Sequence, residues 1–76
     1  MPRLKCTYLE FLKIIEAHGF VEIRHGATNH RRYRGVTDGE VRFVDWSPHN
    51  PNSEIPTGTL QSMIRQSGLS KKLFRK

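Results

Sequence analysis

The sequence predicts an α+β fold with the element order α-β-β-β-α, in which a three-stranded antiparallel sheet carries two helices on one face. Three observations predict it: an amphipathic helix that begins at a capping box, three short runs with strand-like alternation, and a second amphipathic helix after a proline-rich loop. The 76 residues are enough for a single domain, residues 1–76. We place its core at about 7–69 and treat 70–76 as a tail.

The first helix has a clear start and a clear end. Thr7 and Glu10 have the T-x-x-E spacing of a capping box, which satisfies two free backbone donors. Gly19 can adopt the positive φ that often ends a helix. Between these positions, apolar side chains recur at helical spacing: Tyr8, Phe11, Leu12 and Ile15. The pattern predicts a helix from about Tyr8 to His18, with His18 placed to cap its C-terminal end.

Three strand-like runs follow the first helix. They are "FVEIR" (20–24), "HRRYR" (30–34) and "EVRFVDW" (40–46). Asp38 and Gly39, between the second and third runs, are a hairpin turn signal. Together the runs predict an antiparallel meander.

The position of Trp46 in the third run stays open from the sequence. Val41 and Phe43 share one face of this run, and Trp46 lies on the other. If Val41 and Phe43 face inward, Trp46 ends near the basic surface, where it could stack on a base. A bulge near Asp45 would instead turn Trp46 into the core. We favour a core or partner contact.

A loop and a second helix complete the predicted domain. Residues 47–56 contain three prolines, which cannot take part in a strand ladder. A helix then begins near Thr57 and ends at Gly68, and its apolar residues are Leu60, Met63 and Ile64. We expect the remaining "SKKLFRK" to add a short turn or to fray.

The charge balance favours a polyanionic partner. Thirteen Lys and Arg residues against seven Asp and Glu give a formal net charge of +6, and each phosphate contact releases counterions. Nucleic acid is the first candidate, and a charge that serves only solubility is the alternative. A membrane surface would need a helix with a basic polar face. The first helix offers only Lys13 and two glutamates outside its apolar stripe, so we expect no membrane partner.

Cysteine content and the N-terminus indicate the compartment. Cys6 is the only cysteine, which excludes a disulfide within one chain and a cysteine-based zinc site. No N-terminal apolar run resembles a signal peptide, and no segment approaches the length of a membrane span. We therefore expect a reduced, cytoplasmic protein without a large cofactor.

The stretch "NHRRYRG" places one histidine among three arginines. In a strand, period two puts His30, Arg32 and Arg34 on one side and Arg31 and Tyr33 on the other. Tyr33 is the sizeable apolar group, so its side is expected to face inward. A neutral imidazole among guanidinium groups can act as general base on a ribose hydroxyl, while the arginines hold the phosphate. The alternative is an exposed strand histidine without a role.

These residues belong to a wider resemblance. The segments "HGFVEIR", "NHRRYR", "DGEVRF" and "PHNPNSEIPTGTLQSMIRQSGL" resemble the HicA (YcfA-like) toxins, small RNA-cleaving proteins encoded beside a HicB antitoxin. The most specific part is "EIPTGTL" followed by "IRQSGL". One departure concerns Gly26, which stands four residues before His30, whereas the family usually has a glycine one or two residues before its histidine.

The resemblance implies both a fold and an activity. The fold is that of double-stranded-RNA-binding domains, and the activity is metal-independent cleavage of mRNA that depends on the motif histidine, here His30. The protein would be the toxin of a type II toxin–antitoxin system and would form a hetero-oligomer with a HicB-like antitoxin. Arg31, Arg32, Arg34 and Arg42 are the residues that we expect to bind the RNA backbone.

Two further histidines are weaker candidates for the site. His25 could contact substrate, and His49 matches a position where relatives often carry histidine, so it could approach the RNA or orient His30. Either residue, or water, could protonate the leaving oxygen, and a loop histidine without a role is the alternative for each. A metal site would need both to converge with His30 and Asp45, and their spacing is not that of a zinc site. We predict no metal and no cofactor.

Two alternatives to the toxin hypothesis remain. One is a non-catalytic RNA-binding domain of the same fold, and the other is a protein-interaction module whose charge matches an acidic partner.

Overall fold

The computed structural model describes residues 4–26, 30–48 and 50–75. Its elements are α1 (Tyr8–Ala17), β1 (Val21–His25), β2 (Arg31–Thr37), β3 (Glu40–Trp46), α2 (Thr57–Ser67) and a short 3₁₀ helix (Lys71–Phe74). The three strands form one antiparallel sheet in the order β1-β2-β3. The predicted α+β fold and its element order are confirmed.

Helix α1 begins at the predicted capping box. The Thr7 hydroxyl accepts a hydrogen bond from the Glu10 amide (3.1 Å), and the Glu10 carboxylate accepts one from the Thr7 amide (2.9 Å). At the other end the ring nitrogen Nδ1 of His18 lies 2.8 Å from the carbonyl oxygen of Ile14. When that nitrogen carries the proton it satisfies a carbonyl that has no partner within the helix. The expectation that His18 caps the helix is confirmed.

The β2–β3 hairpin has an unbroken register set by its turn. Asp38 (φ 54°) and Gly39 (φ 77°) both take positive φ, as a type I′ turn requires. Pairing then runs without a shift from the turn, where Thr37 lies opposite Glu40, to the far end, where Arg31 lies opposite Trp46.

Strand β1 forms the other edge of the sheet and contains an irregularity. Glu22 lies opposite Tyr33, but the next pair joins Arg24 to Arg32, so Ile23 is an extra residue. Such a bulge re-aims the side chains that follow it. Because of the bulge, Arg24 lies on the same sheet face as Arg32.

The helices cover one face of the sheet. The inward side chains include Tyr33, Val44 and Trp46, each at most 4% exposed, so the inward prediction for Tyr33 is confirmed. The Trp46 indole N–H donates to the carbonyl oxygen of Tyr8 at 2.9 Å. Trp46 reaches the core by ordinary alternation, because the β2–β3 register shows no bulge near Asp45. The suggested bulge there is therefore wrong.

The opposite sheet face is uncovered, and we call it the outer sheet face. It carries Val21, Val36, Val41 and Phe43, whose exposures lie between 41% and 58%, together with Arg32 and Arg34. An inward orientation of Val41 and Phe43 would have exposed Trp46. The structure shows the reverse arrangement, with Trp46 buried and the other two side chains facing outward.

The packed core extends beyond the predicted limit at residue 69. Phe74, in the 3₁₀ helix, is 1% exposed and stacks on Phe11 with ring centroids 5.0 Å apart. The Lys5 amide donates to the carbonyl of Phe74 (3.2 Å), and Leu4 forms a bridge with Arg75. The C-terminal segment is therefore packed against the N-terminal one rather than frayed. Within the described ranges, none of the helices has the length and apolarity needed to cross a membrane.

Candidate functional site

A cavity of about 240 Å³ opens at the end of the sheet where β2 begins and β3 ends. We call it the His30 cavity. Its lining brings three predicted site residues, His30, Arg31 and Arg32, together with others from the strand ends. The full lining is Arg24, Gly26, His30, Arg31, Arg32, Asp45, Trp46 and Ser47.

His30 lies immediately before β2, with an exposed side chain. Its carbonyl oxygen accepts a hydrogen bond from the Gly26 amide at 2.7 Å, which joins the end of β1 to the start of β2. A Cβ atom on residue 26 would lie 3.3 Å from that oxygen, a tight contact. Gly26 is thus adjacent to His30 in space in spite of the unusual sequence spacing between them.

Arg31 projects toward the inner side of the sheet and is held by two contacts. Its guanidinium carbon lies 5.5 Å from the centroid of the Trp46 ring, within range of a cation–π interaction. Its Nε lies 3.5 Å from the Glu22 carboxylate. This Nε is buried and makes no hydrogen bond within the described part of the chain, so the Glu22 contact is an ion pair only.

Arg32 lies on the outer sheet face beside the cavity. Its guanidinium carbon is 4.8 Å from the centroid of the Phe43 ring, and its Nη1 is 3.4 Å from Oδ1 of Asp45. The side chains of Arg32 and Asp45 are 45% and 67% exposed, so water screens the pair and it contributes little to stability. A phosphate can therefore replace Asp45 at small cost.

The register places two basic residues directly opposite each other at the cavity. Arg24 pairs with Arg32, and like charges at directly opposed positions destabilise a sheet. Asp45 lies on the other side of Arg32 and offsets part of this repulsion. The repulsion that remains between Arg24 and Arg32 destabilises the sheet. Unfavourable pairs of this kind are typical of binding sites, where a ligand of opposite charge compensates for the repulsion.

His25 and His49 are the accessory histidines predicted from the sequence. His25 lies opposite Arg31 in the sheet, but its Nδ1 is directed to the Glu22 carboxylate at 3.4 Å. It is not among the residues that line the His30 cavity. His49 lies outside the described residues.

The four predicted RNA-binding arginines do not form one cluster. Arg31 and Arg32 line the His30 cavity, whereas Arg34 lies further along the outer sheet face, opposite Phe43. Arg42 lies opposite Gly35, four residues before Trp46 on β3, which corresponds to about 13 Å. It lines a different cavity.

Arg24, Asp45 and Ser47 line the His30 cavity but were not predicted from the sequence to bind RNA. The position of Asp45 could have been predicted. The two-residue turn at positions 38 and 39 fixes the register of the hairpin, and this register places Asp45 opposite Arg32. No comparable signal places Arg24, since its position depends on the bulge at Ile23.

The lining combines the His30 imidazole with three guanidinium groups and the Asp45 carboxylate. Guanidinium groups can bind a phosphodiester, and an imidazole can act as a nitrogen base beside it. Among residues 4–26, 30–48 and 50–75, no three His, Cys, Asp or Glu side chains are grouped so as to hold a metal ion.

Comparison with known proteins places the chain in a family. The model of the HicA toxin of bacterial toxin–antitoxin systems matches residues 9–69, which include nearly all of α1, the sheet, α2 and the whole lining of the His30 cavity. The chain belongs to the HicA toxin family. This membership confirms the resemblance noted in the sequence and supports the role of toxin in a toxin–antitoxin pair. No curated protein and no solved structure matches the chain.

Proposed function

We propose that this HicA-family protein is an mRNA endonuclease in which His30 acts as the general base. The observation that carries the proposal is the His30 cavity, where an exposed imidazole shares one opening with Arg24, Arg31 and Arg32. His30 takes the proton of a ribose 2′-hydroxyl, and the resulting oxygen attacks the adjacent phosphorus. The bond from phosphorus to the 5′-oxygen breaks, which leaves a 2′,3′-cyclic phosphate and a 5′-hydroxyl.

The arginines have separate tasks in this mechanism. Arg31 is held between Trp46 and Glu22, so it offers a guanidinium of fixed position to the phosphate. Arg24 and Arg32 repel each other without a ligand, and a phosphate between them would offset this repulsion. They stabilise the negative charge that builds up on the phosphate oxygens during attack.

The mechanism needs neither a metal-bound water nor a covalent protein intermediate, because the nucleophile belongs to the substrate. We choose water as the donor of the proton to the departing 5′-oxygen, since, among the residues that the structure describes, the side chain of His30 is exposed and that of His25 is directed to Glu22. We therefore propose that cleavage continues when divalent ions are removed.

The outer sheet face supports a protein partner, which we propose to be a HicB-like antitoxin in a hetero-oligomer. Valine side chains such as Val36 and Val41 cannot form hydrogen bonds or ion pairs with a phosphate. Their burial against apolar groups of a partner would be favourable. The arginines of this face favour a partner that surrounds its apolar centre with carboxylates. Because Arg32 belongs both to this face and to the His30 cavity, a bound antitoxin would withdraw it from RNA.

The test is cleavage of single-stranded RNA by purified protein in the presence of a chelator. We expect the parent protein to cleave and His30→Ala to be slower by about 10²- to 10⁴-fold, the usual contribution of a general base. His18→Ala is the matched control, because it removes an exposed histidine at the far end of α1.

Binding to a 2′-deoxy strand of the same sequence separates catalysis from affinity. We expect His30→Ala to bind it as the parent does. A His30→Ala protein that cleaves at the parental rate would contradict the proposal. Binding without cleavage by the parent would favour the non-catalytic RNA-binding domain.

A further inference from the structure

A second cavity lies beside the C-terminal end of α2, and we call it the Arg42 cavity. Its volume is about 410 Å³. Three of its lining residues are cations, and no carboxylate lies among the lining residues in the described part of the chain. The lining consists of Arg42, Gln61, Ile64, Arg65, Gly68, Leu69 and Lys71.

Arg42 projects into this cavity with unused hydrogen-bonding capacity. Its Nη2 lies 3.1 Å from Glu40, and the Glu40 side chain is 70% exposed, so this ion pair is screened by water. Its Nε is buried and has no hydrogen-bond acceptor within the residues described. The side chain as a whole is 34% exposed, so a phosphate in the cavity can accept charge-assisted hydrogen bonds from its Nη groups.

Gly68 allows the guanidinium of Arg42 to occupy this place. Residue 68 has φ 70°, a conformation in which glycine is favoured. A Cβ atom there would also lie 2.9 Å from Nε of Arg42. The end of α2 is thus compatible with an arginine lying directly against it.

Cations near a helix C-terminus can simply offset the helix dipole. Here the last carbonyls of α2 already have donors: the Gly68 amide bonds to Ile64 (3.1 Å) and Arg65 (3.2 Å), and the Ser67 hydroxyl bonds to Ile64 (2.7 Å). Arg42 comes from β3, and its Nε bonds to none of these carbonyls. Dipole compensation therefore does not account for Arg42.

The distance between the His30 cavity and the Arg42 cavity sets the minimum length of an RNA strand that can bind to both. Arg42 and Trp46 are four residues apart on β3, or about 13 Å. Stacked nucleotides advance by about 3.4 Å each, so about four nucleotides span this distance. A dinucleotide in the His30 cavity would not reach Arg42.

We propose that Arg42, Arg65 and Lys71 bind a backbone phosphate of the RNA strand that is cleaved at His30, several nucleotides from the scissile bond. This inference rests on the proposed function and specifies its substrate. The substrate is a single strand of at least about five nucleotides, held at two points along the β3 side of the molecule.

The test is binding of a non-cleavable 12-nucleotide 2′-O-methyl RNA to the double variant Arg65→Gln/Lys71→Gln. Both side chains are exposed, so the variant is expected to fold as the parent does. We expect affinity to fall by about tenfold, since charge-assisted hydrogen bonds are removed. The slope of log affinity against log salt should become shallower by about 0.7 for each phosphate of the single strand that the variant no longer neutralises.

The matched control is Lys5→Gln/Lys13→Gln, which removes the same charge from exposed positions outside the Arg42 cavity. Its affinity is expected to stay within about twofold of the parent. Equal weakening of the two double variants would overturn the proposal, because the effect would then be one of net charge. An unchanged affinity in Arg65→Gln/Lys71→Gln would overturn it as well.

Cleavage of a short substrate provides the second measurement. Arg65→Gln/Lys71→Gln should cleave a dinucleotide at the parental rate and a 12-nucleotide RNA more slowly at limiting concentration. Equal slowing on both substrates would place the two cations at the cleavage site and overturn the inference. If the parent cleaves neither substrate, the proposed catalysis fails, while the binding measurement still decides whether the second site exists.

Discussion

Arg32 is the residue through which the cavity and the outer sheet face are connected. Its guanidinium is within contact range of Phe43 and Asp45, and Arg24 lies opposite it in the sheet. The carboxylate of Asp45 occupies part of the space that a phosphate would need, and both side chains of this pair are well exposed. In the proposed complex, Asp45 would therefore compete with the RNA phosphate for Arg32.

Removal of this competing carboxylate should strengthen RNA binding. Asp45→Asn is expected to bind a non-cleavable RNA about 1.4- to fivefold more tightly, because an exposed ion pair contributes about 0.2–1 kcal/mol. Fluorescence anisotropy at fixed salt measures the effect. Glu54→Gln is the control, since it removes an exposed carboxylate paired with Lys5 outside the cavity. Weaker binding by Asp45→Asn would mean that the carboxylate positions Arg32 for RNA.

At the scale of the elements, β2 depends on the contact between Gly35 and Phe20. A Cβ atom on residue 35 would come within 2.6 Å of the Phe20 ring, which is 2% exposed. Strand β2 must remain in place because it carries Arg31 and Arg32 to the His30 cavity. The glycine is therefore required by packing rather than by backbone conformation.

Two glycine substitutions should change stability in opposite directions. Gly35→Ala is expected to lower the free energy of unfolding by about 1–3 kcal/mol through overpacking. Gly58→Ala should raise it by about 0.5–1 kcal/mol, because residue 58 is in α2 and has open space around it. Thermal unfolding measures both, and about 1 kcal/mol shifts Tm by about 4–8 °C in a domain of this size. A neutral Gly35→Ala would contradict the packing described.

The outer sheet face gives a second prediction at this scale. Val36 and Val41 lie opposite each other and are both about half exposed, so a lysine at either position is compatible with folding. Val36→Lys should weaken binding of the proposed HicB-like antitoxin by at least about tenfold, since a buried charge costs several kcal/mol. RNA cleavage without antitoxin should remain.

Leu9→Lys is the control for the outer sheet face, because Leu9 is an exposed apolar residue on α1. Antitoxin binding that survives Val36→Lys but is abolished by Leu9→Lys would place the partner on α1 instead. Calorimetry of the purified pair measures both affinities.

At the scale of the whole molecule, local signals were sufficient for the fold. Helix ends and chain reversals depend on a few neighbouring residues. Three such signals are the Thr7 capping box, the Asp38-Gly39 turn and the glycine after α2. The packing of Phe74 on Phe11 was not predicted, because it joins the two ends of the chain and the segment around it is short and basic.

The candidate site was predicted only in part for the same physical reason. His30, Arg31 and Arg32 are neighbours in sequence and remain together in space, whereas Arg34 and Arg42 point to other surfaces. Arg24 enters the site through a bulge whose position depends on the packing of the whole sheet. The four predicted arginines are thus divided between two cavities and the outer sheet face rather than concentrated in one groove.

The chemistry of the cleaved ends tests the central claim, which is that His30 activates a hydroxyl of the RNA itself. Mass spectrometry of fragments produced in chelator should find a 2′,3′-cyclic phosphate on the upstream piece and a 5′-hydroxyl on the downstream piece. Replacement of the ribose before the cleaved bond by 2′-deoxyribose should abolish cleavage there. Fragments with 5′-phosphate ends, or cleavage at the deoxy position, would show that water is the nucleophile and would contradict the account.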